Sequence, residues 1–195
     1  MKFPWLKFVV VTSVLILSVR AAEAELLDWA DGVHEYSSNI QDYAGNKMTA
    51  DTEWWLTGEP DDFVAGWRSN APGEYIVMHW DLPLADVVGD DLRIRLYGGP
   101  RASAQVLASV DGRTFTELGT LEGTAQGDFV DSYFDFAGKF GNDAVSFVKV
   151  LRVGNGPNTG MFFDAFAGHV VPEPGSLVLM LTAAGLLAAW KWRRP

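Results

Sequence analysis

The chain of 195 residues contains no cysteine. That excludes disulfide frameworks, thiolate zinc sites, iron–sulfur ligation and cysteine nucleophiles together. Histidine is scarce: His34, His79 and His169 are far apart, and none forms a metal-ligand pair at helical or alternate-strand spacing. Basic residues are few, 15 Lys and Arg against 25 Asp and Glu, for a net charge of −10. Such a surface repels phosphate, so nucleic acid is not an expected partner. Nucleotide fingerprints are missing too. Gly154-Asn155-Gly156 lacks the third glycine and following helix of a dinucleotide site, and no Walker loop occurs. Ser109 precedes Val110-Asp111-Gly112 without the flanking glycines of a nucleophile elbow. Asp61-Asp62 and Asp90-Asp91 read as turn and capping residues, because neighbours in sequence do not define a pair across a cleft. No catalytic residue is assigned.

What the chain does have is two apolar ends. Lys2 and Lys7 precede Phe8–Val19, an uncharged run of 12 residues, within the span of about 7–15 expected of a signal h-region. Ala22 and Ala24 then stand where a signal peptidase requires small residues, which places the mature N-terminus at Glu25. At the other end Pro172-Glu173-Pro174 and Gly175-Ser176 lead into Leu177–Trp190, 14 residues without a charge, then Lys191-Trp192-Arg193-Arg194-Pro195. A helix over 175–192 would be about 27 Å long at ~1.5 Å per residue. That crosses a bilayer core if Lys191 snorkels, with the basic end held in the cytoplasm.

This three-part tail resembles the PEP-CTERM sorting signal of Gram-negative bacteria, in which a Pro-Glu-Pro motif, a short transmembrane helix and a basic cluster follow in order. The resemblance implies that Pro172, Glu173, Pro174, Lys191, Arg193 and Arg194 form a sorting motif read by a membrane transpeptidase, the exosortase. It implies export through the inner membrane, then delivery to the cell surface or extracellular matrix, commonly alongside exopolysaccharide. The expected divisions are a signal peptide at 1–24, a β-sandwich domain at 25–171 and the sorting signal at 172–195. A plain C-terminal membrane anchor is the alternative.

The middle is acidic and strand-rich. Residues 25–174 hold 24 of the acidic residues and nine of the basic ones, a net charge of −15. Asp91–Tyr97 alternates, with Leu92, Ile94 and Leu96 inward and Arg93 and Arg95 outward. Further strands are expected at 73–81 (with Leu82-Pro83-Leu84 ending it), 103–110, 114–118, 129–136, 145–153 and 161–170. Asp111-Gly112 marks a hairpin turn. No helical stretch of convincing period occurs in this region. Seven or eight short strands separated by such turns predict an all-β, antiparallel sandwich.

The order Asp31-Gly32-Val33, Tyr36-Ser37, Gly89-Asp90-Asp91-Leu92, Val110-Asp111-Gly112-Arg113-Thr114-Phe115, Phe147-Val148-Lys149-Val150 and Phe163-Asp164-Ala165-Phe166 is similar to the galactose-binding-like jelly roll. That resemblance implies that the chain ends approach one another and that related domains hold a structural calcium there. Calcium takes about six to eight oxygen ligands, and Asp28, Asp31 and Asp164 are the candidates in this sequence. Met161-Phe162-Phe163 stands where relatives often carry a second acidic residue. The alternative is that these carboxylates are solvated turn residues.

Carbohydrate recognition needs exposed rings that stack on sugar faces and polar groups that fix hydroxyls. Trp54, Trp55 and Trp67 are the candidates. Adjacent tryptophans in a strand face opposite sides, so one of Trp54 and Trp55 would be exposed. The competing role for tryptophan is a core anchor. The sequence therefore points to non-catalytic binding or scaffolding in an extracellular polysaccharide matrix, with signal peptidase, exosortase, the inner membrane and polysaccharide as partners. A calcium-dependent polysaccharide hydrolase and a purely structural coat protein are the alternatives.

Overall fold

The computed structural model describes residues 27–170 except 69–72, 124–127, 142 and 154–158. The expected signal peptide, the sorting motif and the helix at 175–192 lie outside the described residues. No helix among the described residues is long and apolar enough to cross a membrane.

The domain is an antiparallel β-sandwich, as the alternating patterns predict. Ten strands form two five-stranded sheets: β1 (Leu27–Trp29), β2 (Gly32–Tyr36), β3 (Ala65–Trp67), β4 (Tyr75–Leu84), β5 (Leu92–Gly98), β6 (Ser103–Ser109), β7 (Thr116–Glu122), β8 (Val130–Phe134), β9 (Val145–Arg152) and β10 (Met161–His169). One sheet runs β1-β10-β5-β8, with β3 also on β10; the other runs β2-β4-β9-β6-β7. β1 pairs with residues 167–169 of β10 and β3 with residues 161–163, so the two short strands share one edge of β10. The chain changes sheet at every step from β1 to β10 except from β6 to β7.

Burial follows the pleat. Leu92, Ile94 and Leu96 point into the core from β5, opposite Gly168, Phe166 and Phe163 of β10. Trp67, Phe136, Phe163 and Phe166 are among the largest fully buried side chains. Fully burying one such ring contributes on the order of 2–3 kcal/mol. In a chain without disulfides this core must carry stability.

Three local features depart from the sequence reading. β4 does not end before Pro83. Pairing with β9 is interrupted after His79 and resumes at Leu84 opposite Val145, where Leu84 is fully buried. Proline supplies no ladder N–H, so the interruption falls where it stands. β1, β2 and β3 had no signal of their own; they are only three to five residues long. Residues Ala50–Leu56 form a 3-10 helix rather than an extended segment. Thr49 caps it, its backbone N–H donating to Thr52 Oγ1 at 2.8 Å, and Leu56 anchors it in the core.

The expected β6–β7 turn is present. Asp111 Oδ1 accepts from the N–H of Arg113 (2.8 Å) and Thr114 (2.9 Å), while Gly112 adopts φ +70°. These bonds hold the Asp111 carboxyl below the ordinary aspartate value.

Candidate functional site

The side chains that β5 turns away from the core are Arg93, Arg95 and Tyr97, and cross-strand register arranges them in three rows. Across β1, β10, β5 and β8 the first row reads Trp29, Ala167, Arg93, Tyr133. The second reads Ala165, Arg95, Asp131 and the third Gly66, Phe162, Tyr97. Small residues on β10 leave room for the long side chains of β5. The face is therefore built from rings at its ends and charges in its middle.

The charges are paired. Arg93 Nη2 donates to Asp131 Oδ2 at 2.9 Å, and Arg95 Nε donates to Asp164 Oδ2 at 2.9 Å. Asp164 reaches this side of the sheet because the register shifts between Phe163 and Ala165, leaving it as the extra residue of a bulge. Its other oxygen accepts from the backbone N–H of Asp61 and Asp62, both at 3.2 Å, so it pins the 59–63 turn onto β10. Burial pushes the Asp164 carboxyl above the ordinary aspartate value, against the opposing pull of these amides and of Arg95. Arg93 Nε and Asp131 Oδ1 are buried and have no hydrogen-bond partner among the described residues.

The rings come from several segments. Tyr43, 59% exposed, lies 5.3 Å from the Phe162 ring and 5.6 Å from that of Tyr97, with the two phenol oxygens 3.3 Å apart. Phe129 sits 6.0 Å from Tyr97 and beneath the Arg95 guanidinium at 5.1 Å. At the far end Arg93 lies 5.8 Å from the Trp29 ring, and Tyr133 is 54% exposed. Beside this face, Trp54 (48% exposed) and Phe63 (54% exposed) meet edge to face at 5.0 Å.

The tryptophan candidates separate. Trp54 is exposed, Trp55 is half-buried against the core, and Trp67 is 1% exposed between the sheets. Trp67 is thus corrected from ligand residue to core anchor; it packs on Phe163 at 5.3 Å. One of the adjacent pair is exposed as expected, but through the 3-10 helix rather than strand alternation. Tyr43, Tyr97, Phe129 and Tyr133 gave no warning in the sequence. Only Arg93 and Arg95 were legible, as residues facing away from the core.

The three carboxylates singled out for calcium do not converge, which corrects that ligand set. Asp28 accepts from the Trp29 N–H (3.0 Å), Asp31 accepts from the Asp81 N–H (2.7 Å), and Asp164 is neutralised by Arg95. Among the described residues, carboxylate oxygens within 4.8 Å of one another occur instead at Asp86, Asp91 and Asp135. There the buried Asp91 accepts from the N–H of Val87 and of Phe136, both at 2.6 Å, while Asp86 and Asp135 each accept one further backbone N–H. The cluster thus already serves to tie turns together.

Comparison with known proteins decides the nature of the tail. Residues 170–194 match the family model of the PEP-CTERM protein-sorting motif. A PEP-CTERM signal implies export and sorting, as the order of Pro172-Glu173-Pro174, apolar run and basic end predicts. The domain is similar in fold to the C-terminal domain of a chitobiase from Bacteroides fragilis, with 15% identity over 74% of this chain and 96% of that one, and a TM-score of 0.47. It is also similar to the C-terminal CBM6 of LamC from Zobellia galactanivorans, with 12% identity over 73% and 96% of the chains and a TM-score of 0.43. A third such structure is CBM32-1 from a family 31 glycoside hydrolase of Clostridium perfringens, with 10% identity, 70% and 97% coverage and a TM-score of 0.44. No curated protein matches the chain.

Proposed function

We propose that this chain is an exported, non-catalytic carbohydrate-binding protein, sorted by its PEP-CTERM tail and acting in an extracellular polysaccharide matrix. The observation that carries the binding role is the outer face of the β1-β10-β5-β8 sheet. Rings there flank two arginine–aspartate pairs, so stacking surfaces and hydrogen-bonding groups lie side by side. The partners in this reading are signal peptidase cleaving before Glu25, an exosortase acting at Pro172-Glu173-Pro174, the membrane in transit, and polysaccharide.

Affinity gel electrophoresis against a panel of soluble polysaccharides tests the binding role. The full chain is expected to be retarded by at least one of them. Tyr43→Ala combined with Tyr133→Ala should weaken that retardation about tenfold or more, since each ring–ligand stack contributes ~1 kcal/mol. Release of reducing ends from the retarding polysaccharide would overturn the non-catalytic reading, and failure of every polysaccharide to retard the chain would overturn binding itself.

A further inference from the structure

Trp54 and Phe63 form an exposed aromatic patch that the β-sheet does not need. Both rings are about half exposed, and they meet edge to face at 5.0 Å. Their mutual position is fixed from below. Leu56, two residues after Trp54, is fully buried, and Val64, next to Phe63, is 8% exposed. The Asp61 and Asp62 amides hold the turn before Phe63 on Asp164. The patch is therefore presented on a fixed base, which lowers the cost of ordering it around a ligand.

Its electrostatics are one-sided. Between Lys47 and Arg68 the sequence holds Asp51, Glu53, Glu59, Asp61 and Asp62 and not one lysine, arginine or histidine. Asp51 stands three residues before Trp54 in the 3-10 helix, a spacing at which side chains eclipse. Its carboxylate therefore shares a side of the helix with the Trp54 ring. Among the described residues no cation pairs with Asp51, Glu53, Glu59 or Asp62, and the arginine–aspartate pairs Arg93–Asp131 and Arg95–Asp164 lie elsewhere. The sheet face differs, because there each arginine has its own aspartate.

An electron-rich ring face bordered by unpaired carboxylates attracts a cation for two additive reasons. The ring quadrupole draws in a positive group placed over it, and the carboxylates add a Coulomb term that salt screens. A uronic acid or sulfated sugar meets repulsion from the same groups. We infer that Trp54 and Phe63, with Asp51, Glu59 and Asp62 within four residues of one or other ring in the sequence, form a subsite for a glycan bearing free amino groups, the sugar stacking on a ring while its ammonium faces the carboxylates. This rests on the carbohydrate-binding reading and adds the chemical class of the sugar.

Calorimetric titration of the full chain with glucosamine oligosaccharides, their N-acetylated counterparts and polygalacturonate tests it. The free-amine form is expected to bind about tenfold more tightly than the N-acetylated form, the combined size of an exposed cation–π contact and one or two exposed charge pairs. The preference should shrink when salt rises from about 0.1 to about 1 M, as the screening length falls from ~10 to ~3 Å. Polygalacturonate should compete with neither. Trp54→Ala should lose the preference. So should Asp51→Asn combined with Glu59→Gln, a pair of surface changes that leaves the core intact. Glu117→Gln with Glu122→Gln, on β7 of the other sheet, should retain it. Equal affinity for amine and N-acetyl forms overturns this inference while leaving the proposed function standing, and no binding of any glycan overturns both. Loss of preference in the β7 control as large as in the Asp51/Glu59 variant overturns it in favour of diffuse attraction to an acidic protein. Tighter binding of an oligolysine peptide than of the amino-oligosaccharide overturns it in favour of a protein partner.

Discussion

Asp164 shows how one residue serves both packing and site. Its side chain is fully buried, yet it faces Arg95 and two backbone amides rather than the apolar core. Removing it would strand three donors, and an unsatisfied buried donor costs about 1–3 kcal/mol. Asp164→Ala is therefore expected to lower stability by about 3 kcal/mol in urea unfolding, with the Arg95 side chain, 29% exposed, recovering part of its loss from water. Asp164→Asn keeps an acceptor for the Asp61 and Asp62 amides and should cost less. The two variants also separate the pH dependence. Burial outweighs the amides and Arg95, so the folded carboxyl titrates above its unfolded value. A raised acid binds its proton more tightly when folded, so its contribution is greatest below the unfolded value and is lost as pH rises through the folded one. Wild type should gain on Asp164→Asn as pH falls from neutrality through that window. A difference between the two that is flat with pH would show that the carboxylate is fully compensated.

At the scale of elements, the strands from β4 to β10 were legible because each is a β-rich run bounded by turn residues. Val145–Arg152 and Leu92–Gly98 are examples whose inward residues are buried as the period requires. β3 was not legible, since three residues, Ala65-Gly66-Trp67, hold no period. Its existence depends on a close approach: a Cβ on Gly66 would lie 2.0 Å from the Met161 carbonyl oxygen and 2.6 Å from Phe162 Cα. Gly66 also exchanges backbone hydrogen bonds with Gln41 at 2.8 and 3.0 Å. Gly66→Ala should force β3 off β10 and cost about 3 kcal/mol, as overpacking against backbone does. Thermal unfolding reads the loss, and faster amide exchange at Gln41 should accompany it. The ring face was illegible for a related reason. The β5 alternation tells which way Arg93 and Arg95 point, but the rings around them come from residues 29, 43, 129 and 133, which the β1–β10 and β5–β8 registers and the Gln41–Gly66 bridge bring near. Trp67 misled in the opposite sense. Its apolar bulk is spent inside, and its indole N–H finds no hydrogen-bond partner there.

At the scale of the whole molecule, charge is partitioned along the chain. Lys2, Lys7 and Arg20 lie at one end and Lys191, Arg193 and Arg194 at the other, while 25–174 carries −15. Basic flanks are retained on the cytoplasmic side of a bilayer, whereas an acidic segment meets no such retention. The partition therefore suits a precursor whose middle crosses while both ends lag, with the matched sorting motif at 170–194 as the last part to be released. A tail that merely anchors the chain and a tail that is processed predict different masses. On the processing reading, protein recovered from the medium of an exosortase-bearing host begins at Glu25 and lacks Leu177 onward. Replacement of Pro172, Glu173 and Pro174 by alanine should then leave the full-length tail in the membrane fraction, because on that reading the apolar run inserts while the cleavage signal is gone. Intact-mass measurement of both fractions reads the result. Wild-type chain that keeps Trp190 and Arg194 wherever it is found would make the tail a permanent anchor. Reporters fused after Val171 and after Pro195 that both prove cytosolic would remove export altogether, and with it the polysaccharide matrix as the place where the ring face acts.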